Sequence, residues 1–130
     1  MLDSFTVEII SPDQSILKQE VNEVTIPSYE GQMGILNNHI PLITFLRPGI
    51  ITIKKTDVKK KFYVEEGTVE FSNNNLLILT STARDLANFD KALINDLLKK
   101  AELQFNNTDT TDKERYVVSY KIETLKEISQ

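Results

Sequence analysis

Cysteine and tryptophan are absent from the 130 residues, and histidine occurs once, at His39. The absence of cysteine excludes disulfides, thiolate catalysis and zinc sites with cysteine ligands. A single histidine also argues against a transition-metal site. Any nucleophile–histidine–acid arrangement would have to include His39, and no G-x-S-x-G motif accompanies it. An enzyme that uses His39 is therefore the least favoured hypothesis.

Long apolar segments and leader sequences are also missing. The longest unbroken apolar runs, such as residues 76–79, fall far short of the roughly 20 residues that span a bilayer. Residues 1–5 contain neither a basic leader nor an apolar run, so neither a signal peptide nor a transit peptide is predicted. We therefore expect a soluble protein whose membrane association comes only through a partner. The start at Met1 favours a bacterial protein over one imported into mitochondria.

The chain has no overall basic excess, because its formal charge is −4, and nucleic acid is therefore not an expected partner. Five of the fifteen basic residues nevertheless fall within eight positions, at Lys54, Lys55, Lys59, Lys60 and Lys61. One interpretation is an anion or nucleic-acid patch, and the other is a solvated hairpin tip whose lysines protect a sheet edge from aggregation. The second is favoured because no aromatic residue lies among the lysines to stack on bases.

Other chemistry-bearing patterns are weak. Glu65 and Glu66 are adjacent carboxylates, but neighbours on a strand point to opposite faces and would not share a site. The four glycines match neither P-loop nor dinucleotide-binding spacing. The sequence therefore predicts no catalytic residues, no cofactor and no metal.

The first two thirds of the chain have the period-2 alternation of β-strands. Phe5, Val7 and Ile9 alternate with polar residues, and a Ser-Pro-Asp turn follows them. The further predicted strands are residues 16–18, 23–27, 49–55, 61–65, 68–72 and 75–80. Hairpin turns are predicted at Glu66-Gly67 and at Asn73-Asn74. Strands this short and closely spaced favour an antiparallel β-sandwich over alternating β-α-β units.

The pattern changes to helical spacing near Ala87. Ile94, Leu98, Ala101 and Phe105 share one face of a first helix, which Asn88 or Asp90 could cap. The sequence from Thr111 to Glu114 is typical of a capping box for a second helix. The apolar face of that helix contains Val118, Ile122, Leu125 and Ile128. A short polar turn between two such helices predicts an antiparallel α-helical hairpin. The expected fold is thus mainly β with an α appendage: a β-sandwich docking domain over residues 1–86 and a helix hairpin over 87–130.

Residues 26–42 are the most informative segment for function. Two glycines three apart, two prolines and an Asn-Asn-His run predict a long structured loop between strands. Long ordered loops tend to be functional. Met33, Ile35 and Leu36 are either a contact surface or a cap on the sandwich, and the residues alone leave both alternatives open.

The same segment resembles a known family, the ε subunits of bacterial F-type ATP synthases. That family has a Gly-x-x-Gly loop that runs into Asn/Gly-His-x-Pro-Leu, and then Leu-x-Pro-Gly before the next strand. The matching positions are Gly31, Gly34, Asn38, His39, Pro41, Leu42, Leu46, Pro48 and Gly49. Residues 5–12 also match the family's opening strand, and the likeness extends to about Lys100. The last thirty residues match only in pattern.

The resemblance implies a function. The chain would be a non-catalytic central-stalk subunit that rotates with the γ subunit and transmits torque from the proton-driven c-ring to the catalytic head. The sandwich would contact the polar loops of the c-ring through Glu30, Gln32, Met33 and His39. The family usually has an acidic residue where Gln32 stands. The hairpin could contact the α/β head and regulate ATP hydrolysis, and the complex would lie at the cytoplasmic face of a bacterial inner membrane.

Some members of this family bind ATP through an Ile/Leu-Asp-x-x-Arg-Ala motif. Asp90 matches the motif here, but Leu93 and Ile94 stand at its Arg and Ala positions. Weak or no ATP binding is therefore expected. The alternative function is an autonomous β-sandwich binding module for a protein or a carbohydrate, which would need a row of exposed aromatic residues.

Overall fold

The computed structural model describes residues 3–130. Met1 and Leu2, where the sequence predicts no leader, lie outside the described residues. The strands are β1 Phe5–Ile10, β2 Ser15–Val21, β3 Glu23–Ser28, β4 Gly31–Leu36, β5 Leu42–Leu46, β6 Gly49–Lys55, β7 Val58–Val64, β8 Gly67–Ser72, β9 Asn75–Leu79 and β10 Arg84–Asp85. A 3₁₀ turn, Leu86–Asn88, precedes two helices, α1 Lys91–Asn106 and α2 Asp112–Ile128.

The strands form a curled β-sandwich, which confirms the predicted fold class. The strands are hydrogen-bonded in the order β10-β7-β6-β3-β5-β8-β9-β1-β2, and β4 pairs with β3 beside this path. The β1–β9 pair is parallel, whereas the other ladders of the described chain are antiparallel. Strand β3 pairs with β6 through residues 23–25 and with β5 through Ser28, so it passes from one layer to the other.

The sandwich core follows from the alternation in the sequence. Phe5, Val7 and Ile9 are buried, and the residues between them are half-buried. Alternate residues of the other strands complete one continuous apolar cluster. Because successive side chains of a strand point to opposite faces, this alternation places one face of each layer inside.

One of the two predicted hairpin turns is correct. Asn73 and Asn74 join β8 to β9 with φ of 50° and 58°, the backbone of a type I′ turn that asparagine tolerates. The prediction at Glu66-Gly67 is wrong, because β7 pairs with β6 and β10 while β8 pairs with β5 and β9. This segment crosses between layers, and a local turn signal does not distinguish a crossover from a hairpin.

The long loop predicted over residues 26–42 is also wrong. It contains the second half of β3, all of β4 and the start of β5, and Tyr29-Glu30 is a two-residue turn between β3 and β4. Gly31 adopts φ +117° at this turn. Glycine normally weakens a strand interior. Strand β4 nevertheless contains Gly31 and Gly34, and it lies at an edge of the sheet, where it pairs with β3. What remains irregular is the short connection 37–41.

The helices begin where the sequence predicts. Asp90 is the N-cap of α1 and accepts a hydrogen bond from the Ala92 amide. Thr111 and Glu114 form the predicted capping box of α2. The helices pack on each other, and their buried apolar residues are Ile94 and Ala101 of α1 and Val118 and Leu125 of α2.

Contacts divide the chain into two units with a boundary between Leu86 and Ala87, and each unit is described by itself. Neither helix within residues 3–130 is long and apolar enough to cross a membrane.

Candidate functional site

An exposed apolar face covers the outer side of β5, β8 and β9. The strand register places Phe45, Thr68 and Leu79 in one row, and Ile43 lies opposite Glu70 in the next. Ile43 is 75% exposed, Phe45 61% and Leu79 45%. The exposed residues of β8 on this face, Thr68 and Glu70, are polar and lie between the apolar residues of β5 and β9. Scattered single apolar residues are normal on a surface, but a group of large exposed ones is typical of a protein interaction site.

Strand β5 has apolar residues on both of its faces. Thr44 and Leu46 are buried, whereas Ile43 and Phe45 are exposed. The Thr44 hydroxyl donates to the Glu30 carboxylate at 3.4 Å, which gives the buried oxygen a partner. Exposure of these apolar side chains to water is unfavourable in free energy, and a partner that covers them would remove this cost.

Two recesses lie at the end of this apolar face. One has a volume of about 550 Å³ and is lined by Ile10, Pro12 and Leu79, among others. The other, of about 410 Å³, lies against Tyr29 and Phe45. Glu66 contributes to both, and its carboxylate accepts hydrogen bonds from the Ser81 hydroxyl at 2.7 Å and the Ser81 amide at 3.2 Å.

Glu30 and Gln32 lie at the β3–β4 turn and are both exposed. The turn is held by Ser28, whose hydroxyl donates to the Gly31 carbonyl at 2.7 Å and accepts from the Glu30 amide at 3.2 Å. Gln32 is paired with Pro27, a residue that lacks an amide proton. These two predicted site residues are therefore close together on a well-defined turn.

Met33 directly follows Gln32 on β4, whereas His39 lies beyond the far end of that strand. Met33 is half-buried and packs against the core. His39 follows the end of β4, its ring lies edge-to-face on Phe71 with centroids 5.8 Å apart, and its Nδ1 is 2.7 Å from the Ile40 carbonyl. Because β4 spans about 17 Å at roughly 3.3 Å per residue, the four predicted contact residues do not form one compact cluster.

The residues of the exposed apolar face were missed by sequence reasoning, because β5 was not predicted as a strand. The available signal was the alternation of Leu42, Thr44 and Leu46 with Ile43 and Phe45. That alternation defines two faces, but both contain apolar residues, so the sequence does not say which one is inside.

A buried tyrosine lies on β7, opposite Arg84 of β10. Tyr63 is fully buried, and its hydroxyl donates to the Glu65 carboxylate at 2.9 Å. Burial, and then the charge of Glu65, raise the pKa of Tyr63 far above its usual value, so the phenol stays neutral. The Glu65 amide donates to the Thr82 hydroxyl at 2.9 Å, which ties the crossover after β7 to the segment before β10. This arrangement is structural rather than catalytic.

Residues 3–130 also contain no cluster of three acidic or histidine side chains that could hold a metal ion.

Comparison with known proteins gives concordant results. A family described as "ATP synthase, Delta/Epsilon chain, beta-sandwich domain" matches residues 4–85. The ATP synthase epsilon chain of Pelagibacter ubique is 45% identical over 130 residues, which cover 99% of this chain and 100% of the relative. The epsilon chain of Dichelobacter nodosus is 34% identical over 84% of this chain and 77% of its own length.

Two solved structures have the same fold. A chain in the cryo-EM structure of the Euglena gracilis mitochondrial ATP synthase, which includes the c-ring, superposes with a TM-score of 0.81 at 22% identity over 100% of this chain and 84% of that chain. A chain of the Tetrahymena thermophila mitochondrial ATP synthase central stalk and c-ring superposes with a TM-score of 0.64 at 15% identity, covering 99% and 98%. The family matches the whole β-sandwich, and the alignment with the Pelagibacter epsilon chain covers almost the whole chain. The chain therefore belongs to the ATP synthase delta/epsilon chain family.

Proposed function

We propose that this chain is a non-catalytic subunit of the ATP synthase central stalk, which couples rotation of the c-ring to the γ subunit and the catalytic head. The observation that carries the proposal is the exposed apolar face of β5, β8 and β9, with Ile43, Phe45 and Leu79 at its surface. A rotor subunit needs a rigid docking surface rather than catalytic groups. The alternative, an autonomous binding module for carbohydrate, would need a row of aromatic residues, and this face presents Phe45 among aliphatic side chains.

The γ subunit is the proposed occupant of the apolar face. Family membership supports this assignment, and so does the Tetrahymena neighbour, which is part of a central stalk. Burial of apolar area contributes roughly 25 cal/mol per Å² before the costs of association. Large exposed residues such as Ile43 and Phe45 are therefore the expected anchors of the interface.

The c-ring is the proposed partner of the β3–β4 turn. Glu30 and Gln32 are exposed there and can reach polar loops, whereas His39 is half-buried and follows the other end of β4. Met33 packs on the core and would act by holding β4 in place. Gln32 stands where the family usually has an acid, so attraction to the ring would rest on Glu30. Binding to the ring would hold the subunit at the cytoplasmic face of a bacterial inner membrane.

The helical hairpin over residues 87–130 is proposed to be a dispensable appendage and a weak brake on ATP hydrolysis. Helix α2 carries Lys113, Arg115, Lys121 and Lys126 against Asp112, Glu114, Glu123 and Glu127, so its formal charge is zero. Insertion into an acidic part of the head would gain from a basic face, and α2 has no such excess. Deletion of the residues after Asn106 in the complex should leave synthesis intact and change hydrolysis little. A several-fold rise in hydrolysis, or a loss of synthesis, would contradict this.

The central proposal is tested by co-purification with γ. The double variant Ile43→Asp with Phe45→Asp should fold, by circular dichroism, and should lose γ binding because carboxylates would be buried at the interface. Leu103→Asp is the matched control, since Leu103 is 71% exposed on α1. A chain truncated after Leu86 should still bind γ. Retention of γ by the folded double variant would refute the assignment of this face.

A further inference from the structure

The β6–β7 hairpin ends in a concentration of positive charge. Its two strands are joined by Thr56-Asp57, and five lysines lie at the end of β6 and the start of β7. They are Lys54, Lys55, Lys59, Lys60 and Lys61, and together they are named the lysine tip. Asp57 contributes the one carboxylate of this hairpin end, in a chain whose formal charge is −4. The lysine tip is thus a positive pole on an acidic protein.

Protection of a sheet edge explains the positions of only some of the five lysines. Lys59, Lys60 and Lys61 lie on β7, whose outer side is paired with β10 only at Phe62 and Tyr63. Lys54, by contrast, lies on β6 between β3 and β7, away from any edge. It is directly opposite Lys59, and like charges in this arrangement are destabilising. Glu23 lies opposite Lys54 on β3 and offsets only one of the two charges.

The lysine tip also contains a concave surface. A recess of about 470 Å³ is lined by Lys55, Lys59 and Lys60, with Gln19 of β2 and the apolar Ile53 and Val58. Val58 is 70% exposed. Lys60 makes a loose ion pair with Asp85 at 3.9 Å. Among residues 3–130, no ion pair joins the other four lysines to an acidic group. The recess therefore offers unneutralised ammonium groups around a small apolar floor.

The position of the lysine tip restricts its partner. Lys54 lies opposite Glu23, at the start of β3, whereas the β3–β4 turn follows the end of that strand. The two sites are therefore about 17 Å apart along the strand, at roughly 3.3 Å per residue. If the β3–β4 turn faces the c-ring and its membrane, the lysine tip points away from both. Lipid headgroups are disfavoured on this ground, and a protein partner is favoured.

We propose that the lysine tip binds a carboxylate-rich segment of a neighbouring subunit of the ATP synthase, a proposal that rests on the central-stalk function above. Lysine is a flexible point charge and is suited to attracting acidic side chains over a distance. Such complementary charge increases the rate of association more than the final affinity. The contact would therefore orient this protein, through its lysine tip, as it associates with the stalk.

The test compares two triple variants of the full chain with the same change in charge. The tip variant is Lys54→Gln, Lys55→Gln and Lys59→Gln, which leaves the Lys60–Asp85 pair intact. The control is Lys99→Gln, Lys113→Gln and Lys126→Gln, three exposed lysines of the helices. Association with a synthase complex that lacks this subunit is measured at about 50 mM and at about 300 mM salt, where screening differs strongly.

The tip variant should associate about tenfold more slowly than the wild type at low salt, and the difference should disappear at high salt. The control should match the wild type. Equal rates for the two folded variants would overturn the proposal.

Titration of the isolated chain with a polyglutamate peptide, followed by NMR, provides a separate readout. Amide shifts confined to residues 54–61 support the proposal, and their absence contradicts it. Binding to anionic phospholipid vesicles that the tip variant loses would assign the site to a membrane instead. Failure of the wild-type chain to join the complex would refute the central-stalk function. The peptide titration would still show whether the lysine tip binds an acidic segment.

Discussion

The Nε of Arg115 donates a hydrogen bond to the carbonyl oxygen of Phe105 at 3.0 Å, so a side chain of α2 satisfies the end of α1. A second nitrogen of the same guanidinium donates to the Asn107 carbonyl at 3.0 Å. The Thr110 hydroxyl donates to the Gln104 carbonyl at 2.6 Å. The last carbonyls of a helix have no partner within it. These two residues therefore make the polar turn an ordered cap rather than a loose linker.

Replacement of Arg115 by Met should loosen the hairpin, because Met keeps the apolar stem but removes both bonds to carbonyls. Hydrogen bonds to charged groups contribute about 1.5–3 kcal/mol, and partial exposure reduces this, so we expect a loss of roughly 1 kcal/mol in hairpin stability. Hydrogen exchange of the last turn of α1 should accelerate. Lys113→Met is the control, and an equal effect of the two substitutions would rule out the cap.

Acidification should weaken the start of α2 through Glu114. Hydrogen bonds from the Thr111 amide and then from the Thr111 hydroxyl hold the pKa of Glu114 below its ordinary value of 4.5. A lowered pKa in the folded state means that this stabilisation is present above 4.5 and is lost as the pH falls through the folded value. NMR titration should give a midpoint below 4.5 in the wild type. Thr111→Ala should raise the midpoint towards that value, and an unchanged midpoint would contradict the capping contribution.

Gly67→Ala should destabilise the sandwich strongly. Gly67 has φ +154°, and a Cβ there would lie 2.5 Å from the Leu79 carbonyl oxygen. Backbone strain and overpacking together should cost about 2–4 kcal/mol in urea unfolding. Gly34→Ala is the matched control, because a Cβ at Gly34 meets nothing within 4 Å. It should be neutral or stabilising by up to about 1 kcal/mol. A similar loss in both variants would show that strain at Gly67 is not the cause.

The isolated chain should bind ATP weakly. Leu93 replaces the arginine of the family's ATP motif, and loss of a charge-assisted hydrogen bond should weaken binding roughly tenfold to a hundredfold. Arg115, the one arginine of α2, is already hydrogen-bonded to two carbonyls. Calorimetry is expected to show no binding in the micromolar range. Tight micromolar binding would refute this expectation.

Local patterns predicted the parts of the fold that local physics determines. The alternation at Phe5, Val7 and Ile9 identified β1, and the Thr111–Glu114 spacing identified the capping box, because each depends on residues adjacent in sequence. The resemblance drawn from the glycine, histidine and proline motif is confirmed by the comparisons. The contact roles of Glu30, Gln32, Met33 and His39 stay predictions.

The missed elements share one physical reason: their state is decided by partners distant in sequence. Strand β4 contains Gly31 and Gly34 and is held by pairing with β3. Strand β5 turns its apolar Ile43 and Phe45 outwards, and no periodicity says which face of a strand is solvated. The crossover at Glu66-Gly67 likewise has the local composition of a turn. Only the pairing of the flanking strands distinguishes a crossover from a hairpin.

The parallel pairing of β1 with β9 has a consequence for biosynthesis. Strand β1 is synthesised before β9 and lies between β2 and β9, and its register with β9 runs from Thr6↔Asn75 to Ile10↔Leu79. Contacts this far apart in sequence slow folding. The N-terminal strand therefore waits, half-paired, until Leu79 has emerged, and the nascent sandwich exposes its apolar interior for most of translation. Chaperones that shield apolar strands should accordingly engage this chain before, and not after, the helices are synthesised.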